Sequence, residues 1–198
     1  MSNRGRKKGS NGERSREQLL TIAARQFANN GFFETKVSSI VKEAGLTQPT
    51  FYLYFKSKEA IFTELAAIFK ARLLNLTEAS LLESGLKEEM IKIEIKGKLG
   101  TIFRFFKENP DLTQIGFFLS EDGESLKSLL AETIYMNLVQ EQKDGYFHPH
   151  LNMHVVSEII VGIMERLTIS RLFTGLAEPE ELAEEVVELL LFGMQVYR

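Results

Sequence analysis

The chain has 198 residues, of which 44% are hydrophobic and 26% are charged, a composition typical of a soluble globular protein. It contains no cysteine, which excludes disulfides, thiolate zinc sites and cysteine nucleophiles. No apolar run approaches the roughly 18 residues that a membrane span needs, and the segment Met1 to Arg16 is too basic and polar for a signal peptide. We therefore expect a cytoplasmic protein.

The charges are distributed unevenly along the chain. Residues 1–58 contain eleven of the 24 Lys and Arg residues but only four of the 27 Asp and Glu residues, so this part carries +7 and the remainder −10. A basic head on an acidic body indicates a polyanionic partner for the head alone. We interpret residues 1–13 as a flexible basic arm able to enter a DNA minor groove, through Arg4, Arg6, Lys7 and Lys8.

Apolar residues recur at helical spacing almost throughout, so the predicted fold class is all-α. A first helix is expected from about Ser15, as its N-cap, to Asn30, with Gly31 just beyond its end. A short second helix covers Val37 to Ala44. After a turn containing glycine, Thr47 caps a third helix from Gln48 to Tyr54.

A long fourth helix is predicted from Lys58, capped by Ser57, to about Leu82. Further helices follow at about 87–108, 111–120, 124–143, 153–174 and 179–196. These elements predict a helix-turn-helix DNA-binding domain over residues 14–58 and a helical bundle for ligand binding and dimerisation over residues 59–198. The fourth helix is the expected mechanical connection between them.

The second and third helices follow the helix-turn-helix plan, in which the second helix of the pair enters the major groove. At 100° per residue, Phe51, Tyr54 and Phe55 share a face, which we expect to pack on Phe27, Ile40 and Val41. The opposite side is predicted to face base edges, with the residues Thr47, Gln48, Pro49, Thr50, Tyr52 and Leu53. Predicted phosphate contacts come from Lys36, Ser38, Ser39, Lys56 and Lys58.

Residues 15–65, and above all the segment from Gly45 to Glu59, resemble the DNA-binding domain of the tetracycline repressor family. The resemblance implies base contacts from the recognition helix, phosphate binding by Lys58 and a base or phosphate contact by Ser38. Its recognition-helix positions are Gln48, Pro49, Thr50 and Tyr52. Many members have histidine where this chain has Leu53.

The last two predicted helices carry more apolar residues than a terminal hairpin needs to cover its own domain. An isologous four-helix dimer interface accounts for this excess, and the family resemblance implies the same arrangement. Complete burial within one chain is the alternative. The predicted interface residues are Ile159, Ile163, Leu167, Val186, Leu190 and Met194.

Aromatic residues in the fifth to seventh helices indicate an apolar ligand pocket, which the resemblance also places in this part of the chain. The candidates are Leu99, Phe103, Phe106, Phe117, Phe118 and Tyr135. Plain core packing is the alternative for each of them.

No Walker loop, GxSxG or HExxH motif is present, so we predict neither an enzyme nor a bound cofactor. His148 and His150 straddle a proline, and only His150 and His154 have the spacing of a helical metal site, so no metal is predicted. The favoured hypothesis is a homodimeric transcription regulator, a repressor that is released from a palindromic operator by a small hydrophobic or amphipathic effector. The alternative is a DNA-bound protein whose C-terminal domain acts through a protein partner.

Overall fold

A computed structural model of the chain describes residues 10–194, with side chains from Gly12 onward. These residues contain α-helices, two π-helical turns and connecting loops but no β-strand, which confirms the predicted all-α class. The helices are α1 (Ser10–Glu34), α2 (Val37–Glu43), α3 (Gln48–Tyr54), α4 (Lys58–Glu78), α5 (Glu88–Glu108), α6 (Pro110–Gln114), α7 (Gly123–Lys143), α8 (Met153–Leu167) and α9 (Pro179–Phe192).

The first helix begins earlier than predicted. It is already helical at Ser10, so Ser15 lies inside the helix and is not its N-cap, and the last residues of the predicted arm are helical. The arm residues Arg4, Arg6, Lys7 and Lys8 lie outside the described residues. Gly31 interrupts the helix with φ 78° and ψ 167°, conformations open essentially to glycine, so the regular helix ends where the sequence predicted.

The described chain divides into two compact units. The first unit runs to Phe69 and includes Asp111–Glu121, which means that it takes in the first half of α4 and the α6 segment as well as the predicted DNA-binding domain. Its core is a single cluster of buried side chains centred on Leu19, Phe27, Ile40, Phe51, Phe55, Ile61, Leu65 and Ile115. Burial of these apolar surfaces, at about 25 cal/mol for each Å², is the main source of its stability.

The second unit comprises Lys70–Pro110 and the chain from Asp122 onward. In it α5 packs against α9, and α7 packs against α8. The α5–α9 seam carries ion pairs along its exposed edge, including Lys92 and Lys96 with Glu184. None of the described helices is long and apolar enough to cross a membrane.

Four helix ends differ from the sequence expectation. Helix α4 stops at Glu78, before the expected Leu82. Both α6 and α8 continue into single π-helical turns, Ile115–Leu119 and Thr168–Leu172, which sequence periodicity does not reveal. Helix α9 ends at Phe192, before the expected residue 196, and Gly193 beyond it adopts φ 70° and ψ −167°, a backbone conformation that favours glycine.

Candidate nucleic-acid interface and ligand cavity

Helix α3 is anchored by one aromatic face. Phe51 and Phe55 are buried, and Tyr54 packs against the same cluster, which also contains Phe27, Ile40 and Val41. This confirms the packing predicted from the helical period. From α1, the Arg16 guanidinium lies 5.1 Å from the Phe55 ring centroid and binds the Glu64 carboxylate of α4 at 2.6 Å.

The opposite side of α3 faces outward. Tyr52 is 55% exposed and Leu53 79% exposed, and Gln48 and Pro49 are exposed on the first turn. The Thr47 hydroxyl oxygen accepts a hydrogen bond from the Thr50 amide at 3.4 Å and so caps the helix as predicted. An outward row of polar and apolar side chains on a short, capped helix is what direct reading of base edges requires.

The N-terminus of α2 lies close in sequence to this surface and contains three of the residues predicted to contact phosphate. Lys36, Ser38 and Ser39 are all exposed there. The Ser39 hydroxyl has acceptors at 2.6 Å in Gln26 Oε1 and at 2.7 Å in the Lys36 carbonyl. The start of α2 also presents backbone N–H groups, which suit anionic phosphate oxygens.

Lys58 occupies a position that the sequence did not indicate. Its ammonium donates to the carbonyl oxygens of Phe32 at 2.8 Å, Thr35 at 3.0 Å and Phe33 at 3.3 Å, and it lies 4.4 Å from the Phe32 ring centroid. Lys58 therefore closes the junction between α1 and α2. Its phosphate contact stays a prediction, as does that of Lys56, whose side chain is exposed.

The second unit contains a cavity of about 240 Å³. Its walls are mainly aliphatic and come from α5, α7, α8 and α9. They include Ile95, Leu99, Ile102, Ile134, Leu138, Met153, Val156, Ile159, Ile160, Met164, Val187, Leu190 and Leu191. A cavity of about 150 Å³ can hold benzene, so this space suffices for a larger apolar group.

Of the six residues predicted for the pocket, Leu99 lines this cavity. Phe103 and Phe106 continue the same stripe of α5, but they lie one to two turns farther along and are fully buried in the core. Phe117 and Phe118 belong to the first unit. Tyr135 instead stacks on His154, with ring centroids 3.7 Å apart.

Five polar residues also line the cavity and were missed by the sequence analysis: Thr77, Ser80, Lys98, Asn137 and Glu141. Glu141 is only 5% exposed, and its Oε1 accepts the Leu82 amide at 2.9 Å. Burial raises the pKa of this carboxyl, against the opposing effects of the Leu82 bond and of Lys98. The sequence does contain a sign that Glu141 is buried, because its spacing continues the apolar stripe of Ile134 and Leu138 on α7.

The predicted dimer residues fall into three groups. Ile159 and Leu190 are exposed and also line the cavity, and Met194 is 89% exposed. Ile163 and Leu167 are half-buried. Val186 is buried within its own unit, and its place in a dimer interface stays a prediction.

Exposed apolar residues that the sequence analysis did not select lie on the same two helices and just beyond. They are Val155, Ile169, Leu189 and Phe192. Elsewhere, His148 and His150 lie 5.0 Å apart between ring centroids. Within residues 10–194 no group of three or more His, Asp or Glu side chains has an arrangement that could hold a metal ion.

Comparison with known proteins agrees with the helix-turn-helix. Residues 19–65 match the profile described as "Bacterial regulatory proteins, tetR family". The HTH-type transcriptional regulator YdgC of Bacillus subtilis is 50% identical over 185 residues, 93% of this chain and 95% of that protein. The fatty acid metabolism regulator protein of the same organism is 28% identical over 192 residues, 89% of this chain and 94% of that protein.

The fold is shared with solved structures as well. The transcriptional regulator FadR from Bacillus subtilis in complex with stearoyl-CoA superposes with a TM-score of 0.70 at 20% identity, over 90% of this chain and 99% of that one. The capped, outward-facing α3 and the full-length similarity to YdgC lead to one conclusion. The chain belongs to the TetR family and is a helix-turn-helix transcriptional regulator.

Proposed function

We propose that the chain is a homodimeric repressor that binds a palindromic operator through α2 and α3 and is released by a small hydrophobic or amphipathic effector. The observation that carries this proposal is α3 itself. Its buried face holds Phe51 and Phe55 at the core, so that Gln48, Tyr52 and Leu53 stand outward together. Base reading would come from this row, and phosphate binding from the start of α2 and from Lys56.

The second part of the proposal concerns the effector. A mainly aliphatic cavity with a few polar residues is the usual form of a small-molecule site. The similarity to a fatty acid metabolism regulator and the shared fold with a regulator bound to stearoyl-CoA favour a lipid-like effector. Helix α4 begins at Lys58, next in sequence to the proposed DNA-binding helices, and it carries Thr77 of the cavity wall. We therefore propose that α4 transmits the effect of effector binding to the DNA-binding helices.

The third part is the dimer. Val155, Ile159 and Ile169 are exposed along α8 and its π-helical turn, and Leu189 and Phe192 are exposed on α9. An exposed apolar surface of this kind is typical of a protein interface, and a two-fold arrangement would bring the same pair of helices together from each chain. Two recognition helices related by such an axis would match half-sites one helical turn apart.

The test begins with purified protein incubated with sheared genomic DNA at about 0.15 M salt, followed by sequencing of the retained fragments. A shared palindrome supports specific dimeric binding, and random recovery contradicts it. Affinity for the recovered site should fall with salt, with a log–log slope of about −0.9 for each phosphate contacted.

Variants then test the assigned surface. Tyr52→Ala should weaken DNA binding by about 1–3 kcal/mol, because it removes one of the side chains proposed to read bases. The fold should persist, because the Tyr52 side chain is exposed. The matched control is Ile93→Ala, an equally exposed position on α5. Unchanged affinity in the Tyr52 variant would refute the assigned face. Operator binding that no small molecule alters would favour action through a protein partner.

A further inference from the structure

The polar residues of the cavity are gathered at one place, around the end of α4 and the loop that follows it. Thr77 and Ser80 come from that segment, and Lys98, Asn137 and Glu141 reach it from α5 and α7. We call these five residues the polar end. The remaining walls of the cavity are aliphatic, with Phe147 and two methionines, so a ligand's head group has one place to bind.

Most hydrogen-bond donors of the polar end are already used within the protein. The Thr77 hydroxyl donates to the Leu73 carbonyl at 2.9 Å, and the Ser80 hydroxyl donates to the Leu76 carbonyl at 2.8 Å. A hydroxyl has one proton, so both can only accept further bonds. The Asn137 amide nitrogen donates one of its two protons to the Thr77 carbonyl at 2.9 Å, which leaves one N–H and the Oδ1 acceptor for a ligand.

The two charged residues of the polar end, Lys98 and Glu141, also differ in how much of their hydrogen-bonding capacity the protein already uses. The Lys98 ammonium donates to the carbonyls of Ala79 at 3.1 Å and Leu81 at 3.2 Å, so two of its three protons are engaged by the chain. Glu141 engages only Oε1, with the Leu82 amide. Within residues 10–194 no fully buried side-chain oxygen lacks a partner, so Oε2, which has no such bond, faces open space, and Glu141 lines the cavity.

Acceptors therefore outnumber donors at the polar end, and the most deeply buried charged group there is a carboxyl. We propose that the cavity takes a ligand with an apolar tail and a head group that donates hydrogen bonds, an alcohol or an alkylammonium, received by Glu141 and Asn137. This proposal rests on the proposed function, in which the cavity is the effector site. A carboxylate or phosphate head would instead bring a second acid to the Glu141 carboxyl, and Lys98, with two of its three protons bound to carbonyls, would offer that head a single donor.

The test compares three ligands with the same eight-carbon tail, 1-octanol, octylamine and octanoate, on the full-length protein at pH 7. Binding is measured by isothermal titration calorimetry. A hydrogen bond to a charged group favours the donors, so the dissociation constants of octanol and octylamine should be lower than that of octanoate by about tenfold or more. Octanoate binding as tightly as octylamine would overturn the proposal.

Glu141→Gln separates charge from shape. Glutamine keeps an oxygen for the Leu82 amide but removes the negative charge, so octylamine should bind about tenfold more weakly, while octanoate gains. Glu132→Gln, on the exposed side of the same helix, should leave all three affinities unchanged. An octylamine affinity that does not change in Glu141→Gln would also overturn the proposal. If Glu141→Gln fails to fold, the ranking of the three dissociation constants on the unaltered protein still supports or overturns the proposal.

Release of operator DNA is measured separately with the same ligands. Tight octylamine binding without any effect on DNA would preserve the ligand assignment and refute the effector role of the cavity. Release by octanoate and not by the two donors would preserve the effector role and overturn the ligand assignment.

Discussion

Gly116→Ala should destabilise the first unit through a single steric conflict. Gly116 lies in the π-helical turn after α6, and a Cβ built there would stand 2.6 Å from Phe69 Cε1 and closer still to Cγ and Cδ1. Real Cβ atoms essentially never approach within 3.0 Å of a non-bonded heavy atom of this kind. Phe69 is fully buried and meets the Phe117 ring edge-on at 5.2 Å, so its ring has no free space to enter.

The magnitude follows from two opposing effects. Overpacking a well-filled core costs about 1–3 kcal/mol, whereas alanine gains up to about 1 kcal/mol over glycine in a helix. We expect a net loss of about 1–2 kcal/mol, and for a chain of this size each kcal/mol lowers Tm by about 2–4 °C. Differential scanning calorimetry measures this directly.

Gly97→Ala provides the control. Gly97 is also helical, in α5, but a Cβ there would meet nothing within 4 Å, so stability should rise by about 0.5–1 kcal/mol. Adding Phe69→Leu to the Gly116 variant should restore part of the loss and reveal coupling in a double-mutant cycle. The steric argument fails if Gly116→Ala is as stable as the parent protein, or if its effect is the same with either residue at position 69.

Three further outcomes are expected. Gly31→Ala should lower the free energy of unfolding by about 1–3 kcal/mol in urea titration, because φ 78° with ψ 167° is strained for alanine; no change would mean that the backbone relaxes there without cost. Lys58→Met should lower it by about 1–2 kcal/mol, because three carbonyls lose a charged donor, and unchanged stability would show that water replaces the lysine freely. Hydrogen bonds from Lys96 and Lys92 hold the pKa of Glu184 at about 2, below its ordinary 4.5, so its contribution is present above pH 4.5 and disappears as pH falls toward 2. The Tm difference between Glu184→Gln and the parent protein should shrink over that range and also in high salt, whereas a difference independent of pH would contradict the ion-pair assignment.

The helix-turn-helix could be predicted almost to the residue because its signals are local. Thr47 and Ser57 cap α3 and α4, Gly45 ends the preceding turn with φ 63°, and the three aromatic positions of α3 follow the helical period. Each of these signals acts within a few residues, where sequence spacing and spatial distance are nearly the same. The start of α1 was placed too late because Ser15 has the chemistry of a cap but lies within a longer helix.

The sequence by itself thus determined the all-helical class, the helix-turn-helix with its outward row on α3, and the apolar excess of α8 and α9. Tertiary structure alone decided which apolar residues surround empty space. Phe103 and Leu99 lie on one stripe of α5, yet Phe103 fills the core and Leu99 lines the cavity.

Long-range pairing also decided the roles of the charged residues. Lys58 meets carbonyls 23 to 26 positions earlier, and Glu141 meets an amide 59 positions away. Helical periodicity tells which side of a helix is apolar, but it carries no information on which distant segment covers that side. The environment of a buried charge depends on that distant segment, and so does the chemistry of the cavity.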